Sequence, residues 1–151
     1  MREFKAVLSA FMCLAVLVLF TGCKDKTVIT IDDFKSKMED KGYVTTVGDD
    51  SSSDLYTYCE AAKDEDYSVV FFDFKELEEA KKAFDEAKSS VDEASVKIGA
   101  VSVSAANYSK YSLTADGEYI VLTRVEKTML WVQADKQYKS EIKDIIDELG
   151  Y

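Results

Sequence analysis

The sequence contains no histidine and no proline in its 151 residues. Histidine is the commonest general base in enzymes and the commonest side-chain ligand of transition metals. Its absence therefore excludes a histidine-based catalytic triad and a zinc site with histidine ligands. The absence of proline excludes a cis-proline turn and a proline-rich linker.

Cysteine is almost as scarce, with three residues in the whole chain. Cys13 falls inside an N-terminal apolar run and Cys23 directly follows that run, so Cys59 is the one thiol in the remaining sequence. No disulfide can form within that remaining part, and its stability must come from packing. Cys59 lies in a segment of alternating polarity, which predicts a small buried apolar side chain rather than a reactive thiol.

The N-terminal stretch begins with Arg2 and Lys5 and continues as an apolar run, Ala6–Phe20. As a helix this run would span roughly 22 Å, which is short of the ~30 Å hydrocarbon core of a bilayer. The length fits the apolar region of a signal peptide better than a membrane-spanning helix. The run ends in two small residues and a cysteine, Thr21-Gly22-Cys23.

The segment Phe20-Thr21-Gly22-Cys23 resembles the lipobox of bacterial lipoproteins, with Phe20 where leucine is most common. The resemblance implies that residues 1–22 are a signal peptide and that Cys23 becomes the first residue, its sulfur carrying a diacylglycerol with acyl chains such as palmitate. Two acyl chains anchor a protein stably. The predicted location is the extracytoplasmic side of the cell membrane. The alternatives are a secreted protein with an incidental Cys23, or a buried helix.

The charge is strongly acidic, with 19 basic and 29 acidic side chains and a net charge of −10. Removing residues 1–22 takes away Arg2, Lys5 and Glu3, which leaves 17 basic and 28 acidic side chains and a net charge of −11. Phosphates and anionic lipid headgroups repel such a chain. Nucleic acid is therefore not expected as a partner, and the domain is expected to stand off the membrane. Simple solubility also accounts for the acidity.

The predicted organisation has three parts: a signal peptide at 1–22, the lipidated cysteine with a short tether at 23–30, and one α+β domain at 31–151. Seven extended residues reach at most ~25 Å, so the tether holds the domain close to the membrane. The mature part is long enough for a single hydrophobic core. In its helices, hairpins and aromatic-rich strands it resembles small Lys- and Glu-rich lipoproteins of Gram-positive bacteria, a resemblance that implies no activity.

Three helices are indicated by capping residues and apolar periodicity. Thr30 is predicted to cap the first helix, which Gly42 ends. Asp73, three residues before a glutamate, predicts the start of a second helix that runs to about Ser90 with a continuous apolar stripe. Asp135 is predicted to cap the last helix.

Strands fill the intervals between these helices. Tyr67–Phe74 is apolar on both sides, which indicates a strand covered on both faces, and Asp116-Gly117 predicts a type I′ hairpin turn. Hairpins dominate, so the predicted fold is α+β: an antiparallel sheet of about six to seven strands with three helices mainly on one face. A likeness between Tyr56–Phe74 and Tyr111–Val125 indicates either two similar α-β-β-β halves or a shared hairpin pattern.

Many tyrosines fall in the predicted strands. If the helices cover one face of the sheet, these tyrosines can line the other face, and a patch shared with Trp131 would favour binding. The predicted function is a lipid-anchored, extracytoplasmic, non-catalytic module that binds a ligand or a protein, with no cofactor, no metal and no catalytic residue. The strand tyrosines are Tyr56, Tyr58, Tyr108, Tyr111 and Tyr119.

Two alternative functions stay open at this stage. A structural or inhibitory subunit of an envelope complex would be favoured by an unprotected edge strand. A carboxylate-based hydrolase would need two acids that meet in a deep pocket. Ser109 and Lys110 do not form a catalytic pair, because neighbours on a strand point to opposite faces. The sequence leaves the oligomeric state open.

Overall fold

The computed structural model describes residues 26–49, 55–64, 66–94 and 99–151, which form one antiparallel sheet of seven strands and three α-helices. The α+β class and the predicted number of strands are confirmed. The predicted signal peptide and Cys23 lie outside the described residues. Within those ranges, no helix has both the length and the apolar character needed to cross a membrane.

The elements follow one another with short connections, and a 3₁₀ turn at Lys136–Tyr138 precedes the last helix. In chain order they are α1 (Ile31–Asp40), β1 (Val44–Asp49), β2 (Tyr56–Lys63), β3 (Tyr67–Phe74), α2 (Leu77–Ala94), β4 (Val101–Ala105), β5 (Tyr108–Ala115), β6 (Glu118–Val125), β7 (Thr128–Asp135) and α3 (Lys139–Leu149).

The strand order across the sheet is β1-β2-β3-β7-β6-β5-β4, and every neighbouring pair is antiparallel. Two hairpin-linked sets, β1–β3 and β4–β7, meet where β3 pairs with β7. In this pairing Val70 lies opposite Trp131 and Phe71 lies opposite Leu130. Strand β3 therefore occupies the interior of the sheet, as its apolar residues on both sides predict.

The helices lie on both faces of the sheet. On the first face, here called face A, α1 lies over β1–β3 and α3 packs on β7. On the opposite face, face B, α2 packs mainly over β6 and also contacts β3 and β7. Two of the three helices thus share a face, and the helices that precede the two strand sets lie on opposite faces. Both faces acquire a core because β3, β6 and β7 carry apolar residues on both sides.

The core on face A joins α1 and α3 to the sheet. Phe34 of α1 stacks on Phe71 of β3 with 5.1 Å between the ring centroids. Cys59 is fully buried beside this pair, and burial raises the pKa of its thiol. The prediction of a buried Cys59 is confirmed.

The core on face B is built from the apolar stripe of α2. Phe84 and Val91 of this stripe are buried against the sheet, as the spacing predicts. Tyr111 of β5 lies beneath the helix, and its hydroxyl donates a hydrogen bond to Asp92 with 2.5 Å between the oxygens. Burial is the main cause that raises the pKa of Tyr111 to about 12.

Several local signals have the predicted geometry. The Thr30 hydroxyl oxygen accepts a hydrogen bond from the backbone N–H of Asp33, and the Asp33 carboxylate accepts one from the N–H of Thr30. Asp116 and Gly117 both have positive φ, at 51° and 90°, as a type I′ turn requires. Asp135, predicted to cap the last helix, instead caps the 3₁₀ turn before it by accepting a hydrogen bond from the backbone of Gln137, and the N-cap of α3 is Tyr138, which makes no side-chain capping bond.

The predicted cap at Asp73 is wrong. Asp73 belongs to β3, where it lies opposite Thr128 of β7, and its carboxylate forms an ion pair with Lys127 at 2.9 Å. Helix α2 begins only at Leu77. Asp73 pairs with Thr57 of β2 and with Thr128 of β7, and this pairing continues the strand to Phe74. Asp73 therefore cannot adopt the position of a helix cap.

The side chain of Tyr151 closes the core on face A. It is fully buried, meets Phe71 edge to face at 6.2 Å between ring centroids, and shares a hydrogen bond with the hydroxyl of Thr128. The Thr128 hydroxyl also donates to the carbonyl of Val125 at 2.7 Å. Tyr151 thereby ties the chain after α3 to the β6–β7 turn.

Replacing Tyr151 by alanine is expected to lower the free energy of unfolding by about 3–5 kcal/mol, because it leaves a cavity of aromatic size. Tyr151→Phe keeps the ring and is expected to cost about 1 kcal/mol for the lost hydrogen bond. Urea denaturation measures both. Val44→Ala is the control because Val44 is 73% exposed. Equal stabilities of Tyr151→Ala and Val44→Ala would contradict the assigned role.

Candidate binding surface

Face B has an open half. Helix α2 lies over β6 and over the adjoining parts of β3 and β7, and among the described residues no helix packs on this face over β1 and β2. Four partly exposed aromatic side chains lie there or at the border with α2, and they are here called the aromatic patch. They are Tyr56, Tyr58, Phe72 and Trp131.

The register of the strands brings these side chains together. Tyr58 of β2 lies opposite Phe72 of β3, and Trp131 of β7 lies opposite Val70, the next β3 residue on the same face. Ring centroids are 5.3 Å apart for Tyr56 and Phe72 and 6.4 Å apart for Tyr58 and Phe72. Phe74 is buried beneath Tyr56 at 5.3 Å and supports the patch from the core.

Gly48 of the edge strand β1 sets the position of Tyr58. The two residues are opposite each other in the register, and the Tyr58 ring lies across the glycine. A β-carbon at position 48 would come within 2.6 Å of the ring carbon Cζ and of the hydroxyl oxygen. The absence of a side chain at Gly48 thus lets the ring lie flat towards the sheet edge, as aromatic side chains do over glycines in edge strands.

Polar side chains border the patch. Thr46, Glu60 and Gln133 lie on face B in the register rows of Val70 and Trp131 or next to them. The Gln133 amide donates a hydrogen bond to Glu118 at 2.8 Å. Exposed aromatic rings with a polar border can bind the apolar face of a ligand and hydrogen-bond its edges.

The predicted set of strand tyrosines is divided by the fold. Tyr56 and Tyr58 join Trp131 in the aromatic patch, whereas Tyr108 and Tyr119 lie on face A and Tyr111 lies under α2. Tyr111 and Tyr119 are almost fully buried and belong to the cores, so neither is part of the aromatic patch. The sequence analysis did not single out Phe72 as a site residue. The feature of the sequence that could have indicated Phe72 is the apolar character of both sides of β3.

The described residues offer little that resembles an acid–base site. The capping hydrogen bonds from Thr30 lower the pKa of Asp33, and the ion pair with Lys63 lowers that of Glu141. A general acid of a glycosidase needs the opposite shift. Among these residues, no group of three or more Cys, Asp or Glu side chains is placed to hold a metal ion.

A separate cavity of about 300 Å³ lies between α2 and the β4–β5 hairpin. Arg124 is 4% exposed at its wall and donates hydrogen bonds to the carbonyl of Glu126 at 2.8 Å and the hydroxyl of Ser109 at 3.3 Å. Burial lowers the pKa of its guanidinium. Ser109 therefore accepts a hydrogen bond from Arg124 on face B, while Lys110 points to face A, as the alternation of side chains along a strand predicts.

Comparison with known proteins yields one structural likeness. No family model matches the chain, and no curated protein matches it significantly. The crystal structure of a GTP binding regulator from Thermotoga maritima is similar, with a TM-score of 0.50 and 19% identity, over 78% of this chain and 84% of that chain. At this identity the likeness shows the fold alone.

Replacing Gly48 by alanine is expected to displace Tyr58 at little cost in stability. The new methyl group moves the ring, but alanine also lowers the entropy of the unfolded chain, so the net change should stay within about 1 kcal/mol. With Tyr58→Ala already present, the same substitution should stabilise by about 0.5–1 kcal/mol. A double-mutant cycle in urea measures the coupling. Additive effects would show that Gly48 does not position Tyr58.

Proposed function

We propose that this chain is a lipid-anchored, extracytoplasmic, non-catalytic domain that binds a ligand or a protein through the aromatic patch. The observation that carries the binding role is the part of face B that no described helix covers, where the rings of Tyr56, Tyr58 and Phe72 meet and Trp131 lies one row away across the sheet, beside an edge strand that pairs on one side only among the described residues. The anchor is proposed from the lipobox-like sequence that ends at Cys23.

The composition of the patch supports a binding role. Tyrosine and tryptophan are the residue types that most often dominate interface energies, since they bury a large area with little loss of side-chain entropy. Three of the four patch residues are of these types, and Phe74 holds the patch in place from below. Clustered aromatic side chains on an open sheet face indicate an interaction surface more than scattered ones do.

The shape of the surface favours an extended partner. Strand β1 pairs only with β2 among the described residues, so its outer edge adjoins the patch. A polypeptide segment or a glycan chain can lie along such an edge and place apolar groups on Tyr58 and Phe72. This is the ligand shape that we propose, and cell-wall glycans and the exposed domains of envelope proteins are the extracytoplasmic molecules that supply it.

The activity of the structural neighbour does not help to define the ligand. That protein is described as a GTP binding regulator. A regulatory or binding role is compatible with the present proposal, but this sequence has no glycine-rich phosphate loop that ends in Lys followed by Ser or Thr. We therefore propose no nucleotide for this chain.

Trp131 is the sole tryptophan, so its fluorescence reports contact with the patch. We expect its emission to change when cell-wall glycan fragments or envelope-protein domains are titrated against the chain. Phe72→Ala should weaken that binding by roughly thirtyfold, the effect of a 2 kcal/mol hot spot. Tyr138→Ala is the control, because Tyr138 is equally half-buried but packs on Tyr67 of face A. Equal losses in both variants would refute the patch as the binding surface.

The anchor is tested separately by mass spectrometry of the N-terminal peptide from membranes. We expect a chain that begins at Cys23 and carries a mass increase equal to a diacylglycerol. Cys23→Ser should release the protein from the membrane fraction. An unmodified Cys23 in a membrane-free chain would disprove the anchor and leave the binding surface untouched.

A structural subunit of an envelope complex is the second candidate, and one observation favours it. Val44 and Val47 of the edge strand β1 are 73% and 49% exposed, and an apolar free edge can pair with another chain. Light scattering on the purified chain distinguishes the candidates. A stable oligomer that dissociates when Val47→Lys is introduced would support the role as a structural subunit. A monomer would count against self-association.

A further inference from the structure

Face A also has an open region, at the opposite end of the sheet from the aromatic patch. Helices α1 and α3 lie over β1–β3 and β7, and a cavity of about 250 Å³ opens between α3 and the β4–β5 hairpin. Lys110 of β5 and Lys139 and Lys143 of α3 line it. Val101 and Val103 of β4 form its outer wall and are 57% and 49% exposed.

A fourth lysine belongs to the same group. Lys26 lies over the ring of Tyr108 with 4.9 Å between Nζ and the ring centroid, and its carbonyl accepts a hydrogen bond from the Asn107 amide at 3.0 Å. The positive charge of Lys26 also repels that of Lys110. Burial lowers the pKa of Lys110, Asp147 opposes this change, and the charges of Lys26 and Lys143 lower the pKa further. We call Lys26, Lys110, Lys139 and Lys143 the lysine cluster.

The cluster is unusual for this chain because acids outnumber bases. Six lysines elsewhere on the described surface pair with carboxylates, as in Lys41–Glu148 at 2.5 Å and Lys127–Asp73 at 2.9 Å. No described carboxylate lies within ion-pair distance of any lysine in the cluster. Asp147 is the acid whose charge acts on Lys110, and the Lys139 ammonium donates to the Thr114 hydroxyl at 3.1 Å and lies over the ring of Tyr119. Four positive charges against one carboxylate make a site for an anion.

The position of Lys26 indicates where such an anion comes from. Lys26 is three residues after Cys23, so the chain allows at most about 11 Å between the α-carbons of the two residues. A lipid on Cys23 would therefore hold the membrane surface beside the β4–β5 hairpin. Lysines next to exposed valines are the combination that binds an interface, since the cations meet phosphates and the apolar side chains enter the headgroup layer.

We infer that the lysine cluster binds the phosphate groups of anionic lipid headgroups and seats this end of the domain on the membrane. This inference rests on the proposed anchor at Cys23. It differs from the expectation drawn from net charge, which has the whole domain stand off the lipid. Net charge averages over the chain, whereas a headgroup meets only the charges within a Debye length, about 10 Å.

In the test, a lipid attached by chemical coupling takes the place of the native anchor. The chain that begins at Cys23 is coupled through that thiol to a maleimide lipid in vesicles, and Cys59 does not compete because it is buried and its pKa is raised. Vesicles contain phosphatidylcholine alone or with phosphatidylglycerol. The rate of acetylation of each lysine is then measured by mass spectrometry.

Phosphatidylglycerol is expected to slow acetylation of Lys110 and Lys143 roughly fivefold, which corresponds to about 1 kcal/mol per lysine at an anionic surface. Lys82 is the internal reference, since it lies exposed on α2 on the other face. Lys143→Gln should reduce the protection of Lys110, whereas Lys82→Gln, with the same change in net charge, should not.

Two results would overturn the inference. One is equal protection of Lys82 and the cluster, or no protection of either. The other is equal protection on phosphatidylcholine vesicles when inorganic phosphate is added, which would assign the site to free phosphate instead of headgroups. Because the coupling replaces the native lipid, these failures are distinct from a failure of the proposed anchor, which mass spectrometry of the native Cys23 detects.

Discussion

The three described helices are too few to cover both faces of the sheet, and this limits how much of the sheet can be buried. Seven strands at about 4.8 Å spacing make a sheet roughly 29 Å wide, while a helix with its side chains is about 10 Å across. Among the described residues, two helices on face A leave one end of that face open, and one helix on face B leaves more. Each face therefore has a covered part, where the core forms, and an open part, where side chains stay accessible. Both candidate surfaces occupy the open parts.

The two open parts lie at opposite ends of the sheet and on opposite faces. The aromatic patch lies on β1–β3 of face B, and the lysine cluster lies beside β4 and β5 of face A. The interior pairing of β3 with β7 fixes this arrangement, because it places one strand set on each side of the junction. The two surfaces share no residue and are separated by the covered middle of the sheet. A ligand on one does not obstruct the other.

Local rules predicted the elements well and their arrangement poorly. Thr30, the stripe of α2 and the Asp116-Gly117 turn were predictable because each depends on neighbours within a few residues. Alternation gave the side of each strand on which a tyrosine lies, but not which side faces which helix. That required the strand order, which depends on the long-range pairing of β3 with β7. The aromatic patch was therefore foreseen through Tyr56, Tyr58 and Trp131, whereas Tyr111 and Tyr119 proved to be buried.

The free edges of the sheet have a consequence for how the domain stands in its surroundings. If the β4 edge lies on the lipid, the sheet extends away from the membrane across its width. The β1 edge then lies roughly 29 Å above the headgroups. If Cys23 carries the proposed lipid, a short attachment suffices to present aromatic side chains well outside the bilayer, since the folded sheet supplies the distance. The domain would act as a rigid spacer, and shortening the segment before Lys26 would change the height of its ligand very little.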